Sequence, residues 1–141
     1  MGLTELIAQA IAQMEGFFKP GGSIAARNNN PGNLRSWGSN PVVDGYAKFP
    51  TLQAGWDALR AQVDKNIGRG LTLQEFFGGK PGVYPGYAPA VDRNDPGNYA
   101  NFVATQAGIS PTIALNTIGD SPGNPTKPPK AKKKSPRGDS T

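Results

Sequence analysis

The chain has 141 residues, enough for one buried core. Its 19 Gly and 14 Pro against 36% hydrophobic residues predict a turn-rich compact domain joined to a disordered piece. The formal charge of +5 is concentrated. Residues 119–141 hold six Lys or Arg against two acids, leaving nine against eight in residues 1–118, so a basic nucleic-acid-binding domain is not supported. Neither Cys nor His occurs, which excludes Cys–His and Ser–His–Asp nucleophilic machinery and the zinc peptidase and amidase sites built from thiolate and imidazole.

Residues 4–17 predict an amphipathic helix. Leu6, Ile7, Ala10, Ile11, Met14 and Phe17 fall on one face, Thr4 is the expected N-cap, and Gly16 with Pro20-Gly21-Gly22 is the expected stop. Residues 24–50 predict a small β-hairpin region around the turn-forming run Asn28-Asn29-Asn30-Pro31-Gly32-Asn33. Ile24-Ala25-Ala26, Leu34 and Trp37 flank that run, Asn40-Pro41 and Asp44-Gly45 mark further turns, and Tyr46-Ala47-Lys48-Phe49 alternates like a strand.

A second helix is expected over residues 52–68, capped by Thr51, with Leu52, Trp56, Leu59, Val63 and Ile67 as its buried stripe. Thr72 and Glu75 have capping-box spacing for a short helix that ends at Gly78-Gly79. An aromatic, Pro-rich loop follows over residues 81–89. Asp95-Pro96 is an N-cap followed by Pro at the first helical position, for a helix that carries Tyr99, Phe102, Val103 and Gln106 and stops at Gly108. Ser110-Pro111 repeats the signal for a last short helix to about Asn116. The expected fold class is α+β, mainly α: a domain of residues 1–118 followed by a disordered basic Pro/Lys-rich tail, residues 119–141. The start, Met-Gly-Leu-Thr-Glu, lacks the basic residues and apolar run of a signal peptide, so the protein is expected to be soluble and made in the cytoplasm.

Glu15 stands apart from the other acids. Glu5, Asp57 and Asp64 read as polar-face residues, and Glu75 and Asp95 as caps. Glu15 lies in the last turn of the first helix, flanked by Met14 and Phe17-Phe18. Apolar surroundings and the negative end of the helix dipole both disfavour an ionised carboxyl, so a raised pKa is expected there. A carboxylic acid that keeps its proton is what glycosidic cleavage needs, because the leaving oxygen must be protonated as the bond breaks. An exposed helix-end Glu without a role is the ordinary alternative.

The run Ala12-Gln13-Met14-Glu15-Gly16-Phe17, followed by Arg27-Asn28-Asn29-Asn30-Pro31-Gly32-Asn33-Leu34-Arg35, resembles small phage and prophage proteins of the lysozyme-like superfamily. That superfamily includes the soluble lytic transglycosylases and the goose-type lysozymes. Tyr46-Ala47-Lys48-Phe49, Gly55-Trp56, Tyr87-Ala88-Pro89, Asn94-Asp95 and Tyr99 follow the same pattern, and the resemblance covers roughly residues 5–110.

The resemblance implies a lysozyme-like domain that cleaves the peptidoglycan glycan strand, with no cofactor and no metal. Glu15 would be acid and then base, the Asn-rich turn would form one wall of a groove, and Tyr87 or Tyr84 would be the hydroxyl near the scissile sugar. The candidate sugar contacts around them are Asn30, Asn33, Arg35, Tyr46 and Asn94. Side-chain amides suit N-acetyl and hydroxyl groups, although Asn also serves left-handed turns, and Arg35 suits a peptide or lactyl carboxylate. Trp37 and Trp56 are assigned to packing. One departure is plain: transglycosylases usually carry Ser directly after the acid, and Gly16 stands there in this chain.

Hydrolysis requires a second carboxylate, about 6.5–9.5 Å away for inversion or about 5–5.5 Å for a covalent route. Asp44 and Asp92 are the candidates, and no motif fixes either of them. The expectation leans to the transglycosylase route, in which the substrate's own N-acetyl and 6-hydroxyl groups do that work. A lysozyme-type hydrolase and a non-catalytic virion or wall-binding protein are the alternatives. The expected place of action is the bacterial cell wall, as a phage endolysin or a virion component alongside other virion proteins. The polycationic tail is expected to hold anionic wall polymer, lipid headgroups or nucleic acid in a salt-sensitive way.

Overall fold

The structure, a computed structural model, describes residues 1–119. These residues form a mainly helical chain with a two-stranded antiparallel hairpin. Helices α1 (Leu3–Met14) and α2 (Ile24–Arg27) precede strands β1 (Val42–Val43) and β2 (Tyr46–Ala47). Helices α3 (Leu52–Gly68), α4 (Leu73–Gly78) and α5 (Pro96–Ala107) follow, with 3-10 turns at Ala90–Asp92 and Leu115–Thr117. The tail expected to be disordered lies outside the described residues. Among the described residues, no helix is long and apolar enough to cross a membrane. The described residues divide into two compact units, residues 8–63, and residues 1–7 together with residues 64–119.

The core of the Ala8–Val63 unit is small-residue-rich. Ala8, Ala10, Ile11 and Ala12 of α1 are buried, as are Ala25, Leu34, Ala47 and Phe49 of the middle segment and Ala58, Leu59 and Val63 of α3. The segment Ile24–Arg27, expected to belong to the β-region, is instead one turn of helix. Ser23 caps it, its Oγ accepting from Ala26 N at 3.1 Å. The hairpin pairs Val42 with Ala47 and Val43 with Tyr46. Asp44 (φ 57°) and Gly45 (φ 86°) make its two-residue turn, the positive angles that an Asp-Gly pair supplies. Leu52 is 42% exposed, because it occupies the first position of α3, ahead of the turns that carry Leu59 and Val63 into the core.

In the other unit, α4 packs against α5. Leu71, Leu73, Phe76, Phe77, Val103 and Leu115 are fully buried, and Phe77 stacks on Tyr99 with ring centroids 4.2 Å apart. Burying each such side chain stabilises by about 1.5–3 kcal/mol as an upper estimate. The Thr72–Glu75 capping box starts α4, and Asp95 caps α5 through Asn98 N at 3.0 Å, with Pro96 opening the helix. Ser110-Pro111 starts a turn rather than a helix; regular structure resumes only in the 3-10 turn at Leu115–Thr117, where Leu115 N donates to Leu71 O at 2.8 Å. Thr4 is not a cap. Helix α1 already begins at Leu3, and the Thr4 hydroxyl donates to Asp64 Oδ1 at 2.5 Å.

Candidate active site

Helix α1 ends in a way that fixes Glu15. The Glu15 N–H completes the helical ladder by donating to Ile11 O at 2.9 Å. Gly16 then turns left-handed at φ 79°, its N–H donating to Gln13 O at 3.2 Å and that of Phe17 to Ala12 O at 3.0 Å. These two crossed bonds with a left-handed residue between them are a Schellman cap. Glu15 is therefore the C-cap residue, half-buried, rather than a residue of the last turn. Gly16 is explained by its own backbone: a left-handed angle there strains any residue with a Cβ.

The asparagine run is built differently, because most of its amides serve the backbone. Asn28 is buried, and its Nδ2 donates to Val43 O at 2.8 Å and Tyr46 O at 3.4 Å. Asn29 sits at φ 52° and donates to Phe49 O at 3.1 Å. Asn30 is 0% exposed, donates to Leu34 O at 2.9 Å and Ala47 O at 2.8 Å, and accepts from Leu34 N at 2.9 Å. Together these bonds tie the end of α2 to the hairpin. Main-chain bonds from Phe49 N to Asn28 O and from Ala47 N to Leu34 O, both 2.9 Å, reinforce them. Helix α3 closes onto the same turn at Gly55, where a Cβ would stand 1.8 Å from Asn29 O.

Asn33 departs from this pattern. Its backbone is left-handed at φ 49°, and its Nδ2 donates to Glu15 Oε1 at 3.2 Å. Its Oδ1 is buried and makes no hydrogen bond among the described residues. The two motifs of the sequence, the acid at the helix end and the Asn-Pro-Gly-Asn turn, thus meet through one amide–carboxyl contact.

The other expected site residues divide between the units. Asn30 is corrected outright: a fully buried amide whose donors and acceptor are spent on Leu34 and Ala47 has no surface to offer a sugar. Tyr46 is half-buried on β2, and the exposed Arg35 places its guanidinium carbon 5.3 Å from that ring centre, a cation–π pair. Asp44 is exposed at the hairpin tip, where it holds the first position of the turn. In the unit from Asp64 onward, Tyr87 is half-buried among Phe76, Phe77 and Tyr99, at centroid distances of 5.8, 5.9 and 6.3 Å. Tyr84 sits edge-on to Phe76 with the Arg69 guanidinium 5.2 Å from its ring centre. Burial pushes the Tyr84 phenol up, against the opposing pull of the Asn66 amide and the Arg69 charge. Asn94 is exposed and donates to Pro89 O at 3.4 Å; Asp92 is exposed at the end of its 3-10 turn.

Two features went unread in the sequence. Phe17 and Phe18 form an aromatic cluster with Trp56, at 5.5 and 6.4 Å, so Trp56 packs on the two residues that follow the cap. The Phe-Phe pair beside Glu15 was the available signal. Asn66 is buried, with Arg69 Nη1 donating to its Oδ1 at 2.6 Å, and nothing in a polar residue of a long helix announces burial. Among the described residues, no group of three acidic side chains is placed to hold a metal ion.

Comparison of the chain with protein-family models, with curated proteins and with solved structures found no match.

Proposed function

We propose that this chain is a lysozyme-like glycosidase that cuts the β-1,4 bond between N-acetylmuramic acid and N-acetylglucosamine in peptidoglycan, with Glu15 as its general acid and then base. The observation that carries this reading is the Asn33 amide on the Glu15 carboxyl, which gives a helix-end acid a fixed polar partner from the Asn-Pro-Gly-Asn turn. Glu15 donates its proton to the glycosidic oxygen as the C1–O bond breaks, and the neighbouring N-acetyl carbonyl oxygen attacks C1. The resulting carboxylate then takes the proton of the 6-hydroxyl, whose oxygen closes onto C1 and expels the acyl oxygen. The product is a 1,6-anhydro sugar, and Glu15 regains its proton. The lyase route is preferred to hydrolysis because the substrate's own N-acetyl and 6-hydroxyl groups do the work of a second carboxylate, whereas the unit's candidate, Asp44, stands exposed at the hairpin tip. Arg35 over Tyr46 offers a cation–aromatic platform for the lactyl or peptide carboxylate of the same substrate. The tail's six basic residues would add salt-sensitive attachment to anionic wall polymer.

The test is digestion of purified peptidoglycan by the wild type and by Glu15→Gln, with mass spectrometry of the released muropeptides. Anhydro ends released by the wild type and absent with the variant support the lyase. Reducing ends support a lysozyme-type hydrolase instead. Equal, negligible release by two folded proteins leaves a non-catalytic wall-binding protein.

A further inference from the structure

We infer that Asn33 is a positioning residue for Glu15 and not a sugar contact. The inference rests on the glycosidase reading for its catalytic meaning, but the coupling it describes is a property of the chain itself. The run contains four asparagines whose amides can be compared directly. Asn28, Asn29 and Asn30 donate to main-chain carbonyls of residues that follow them and so hold the turn together. Asn33 donates instead to Glu15 Oε1, a side chain eighteen positions earlier. Its other end, Oδ1, is buried without a hydrogen-bond partner among the described residues, a costly arrangement that contributes nothing to the turn. The left-handed angle of 49° is one that Asn accepts as Gly does, and Asn29 holds a similar one at 52°, so what distinguishes Asn33 is the contact its side chain makes. The side chain at this position is therefore directed at the carboxyl.

The chemistry follows from the direction of the bond. An amide N–H donates to the carboxylate form, so it stabilises the charge left on Glu15 after the proton moves to the glycosidic oxygen. The bond also holds one carboxyl oxygen in place, and small displacements of a catalytic group are expensive in rate. When Glu15 recovers its proton from the 6-hydroxyl, the contact returns to its starting state without any bond to Asn33 having formed or broken.

The experiment uses the full chain with Asn33→Gly and Asn33→Asp. Glycine keeps the left-handed turn, and aspartate keeps the size of the side chain while placing a like charge beside Glu15. Two readouts are taken: the pH titration of the Glu15 carboxyl by carbon-13 NMR, and kcat and KM on soluble glycan strands. In both variants the Glu15 carboxyl is expected to titrate at higher pH than in the wild type, with the larger change in Asn33→Asp. In Asn33→Gly, kcat should fall on the order of tenfold to a hundredfold with KM little changed, as expected for a misplaced catalytic group. Unchanged Glu15 titration in both variants overturns the inference. A moved titration in a chain whose wild type releases no muropeptides upholds the inference and removes the glycosidase reading. Asn33→Asp keeps the test decisive if the glycine variant fails to fold.

Discussion

Truncating Asn30 to alanine gives the sharpest test of how the turn is held. The side chain is 0% exposed and makes bonds of 2.9, 2.8 and 2.9 Å to Leu34 O, Ala47 O and Leu34 N. Leu34 O keeps a second donor, Ala47 N at 2.9 Å, so its loss is small. Leu34 N loses its acceptor at a residue only 7% exposed. An orphaned buried donor costs about 1–3 kcal/mol. Adding the Ala47 carbonyl and a small void brings the expected loss to about 3 kcal/mol. That is a large share of a domain's typical total of about 5–15 kcal/mol, and it lowers Tm by about 10–20 °C. Urea unfolding followed by the fluorescence of Trp37 and Trp56, both in the same unit, measures it directly. Asn30→Asp should lose more, since it presents an oxygen to two carbonyls and buries a charge. A loss under about 1 kcal/mol for both variants would falsify the view that this amide staples the turn.

Three other outcomes follow from single residues. Gly55→Ala places a Cβ 1.8 Å from Asn29 O, a clash with backbone that no rotamer relieves, so a loss above about 3 kcal/mol or insoluble protein is expected; a stable variant would contradict the close approach of α3 to the turn. Gly16→Ala meets nothing nearer than Ser23 Cβ at 3.9 Å, so the cost is that of the left-handed angle alone, about 1–2 kcal/mol in urea unfolding; a neutral result would mean the cap relaxes. Because burial raises the Tyr84 phenol, the unfolded chain ionises first as pH rises. The stabilisation from Tyr84 is thus fully present below its ordinary value of 10.0 and is lost as pH climbs through the raised folded value. Tyr84→Phe should flatten the decline of Tm above that pH, and an unaltered decline would assign it to other groups.

What was legible in the sequence was local. Thr72 with Glu75, Asp95 with Pro96 and Asp44 with Gly45 each specify a cap or turn within four residues, and each forms where it was read. Helix α2 has no such signature, because Ile24–Arg27 is too short to show a periodicity and its one signal, Ser23, is a common loop residue. The inward placement of Asn30 is hidden in the sequence for a different reason. The composition of the run says turn, but which amide faces the interior depends on partners fifteen to twenty positions away, such as Val43, Ala47 and Phe49. Only tertiary structure sets those distances. The Asn33 contact joins Glu15 to the turn, while the tyrosines of the 81–89 loop lie among packed rings.

The placement of Glu15 against Asn33 depends on two devices that never touch the carboxyl. One is the crossed pair of bonds around Gly16, which fixes the backbone of the acid; the other is the set of amides from Asn28 to Asn30, which fixes the backbone of the turn. Variants of these devices and variants of the contact itself should therefore separate. Asn30→Ala, Gly55→Ala and Gly16→Ala disturb a backbone lock, so stability and activity should fall together. Asn33→Gly leaves both locks in place and relieves a strained angle, so activity should fall while Tm holds or rises. Glu15→Gln keeps the side chain's size and a carbonyl acceptor for Asn33 while removing the acid, so activity should fall by far more than Tm. If Asn33→Gly instead lost stability in step with Asn30→Ala, the amide on Glu15 would be one more staple of the fold rather than a group placed for the carboxyl's chemistry.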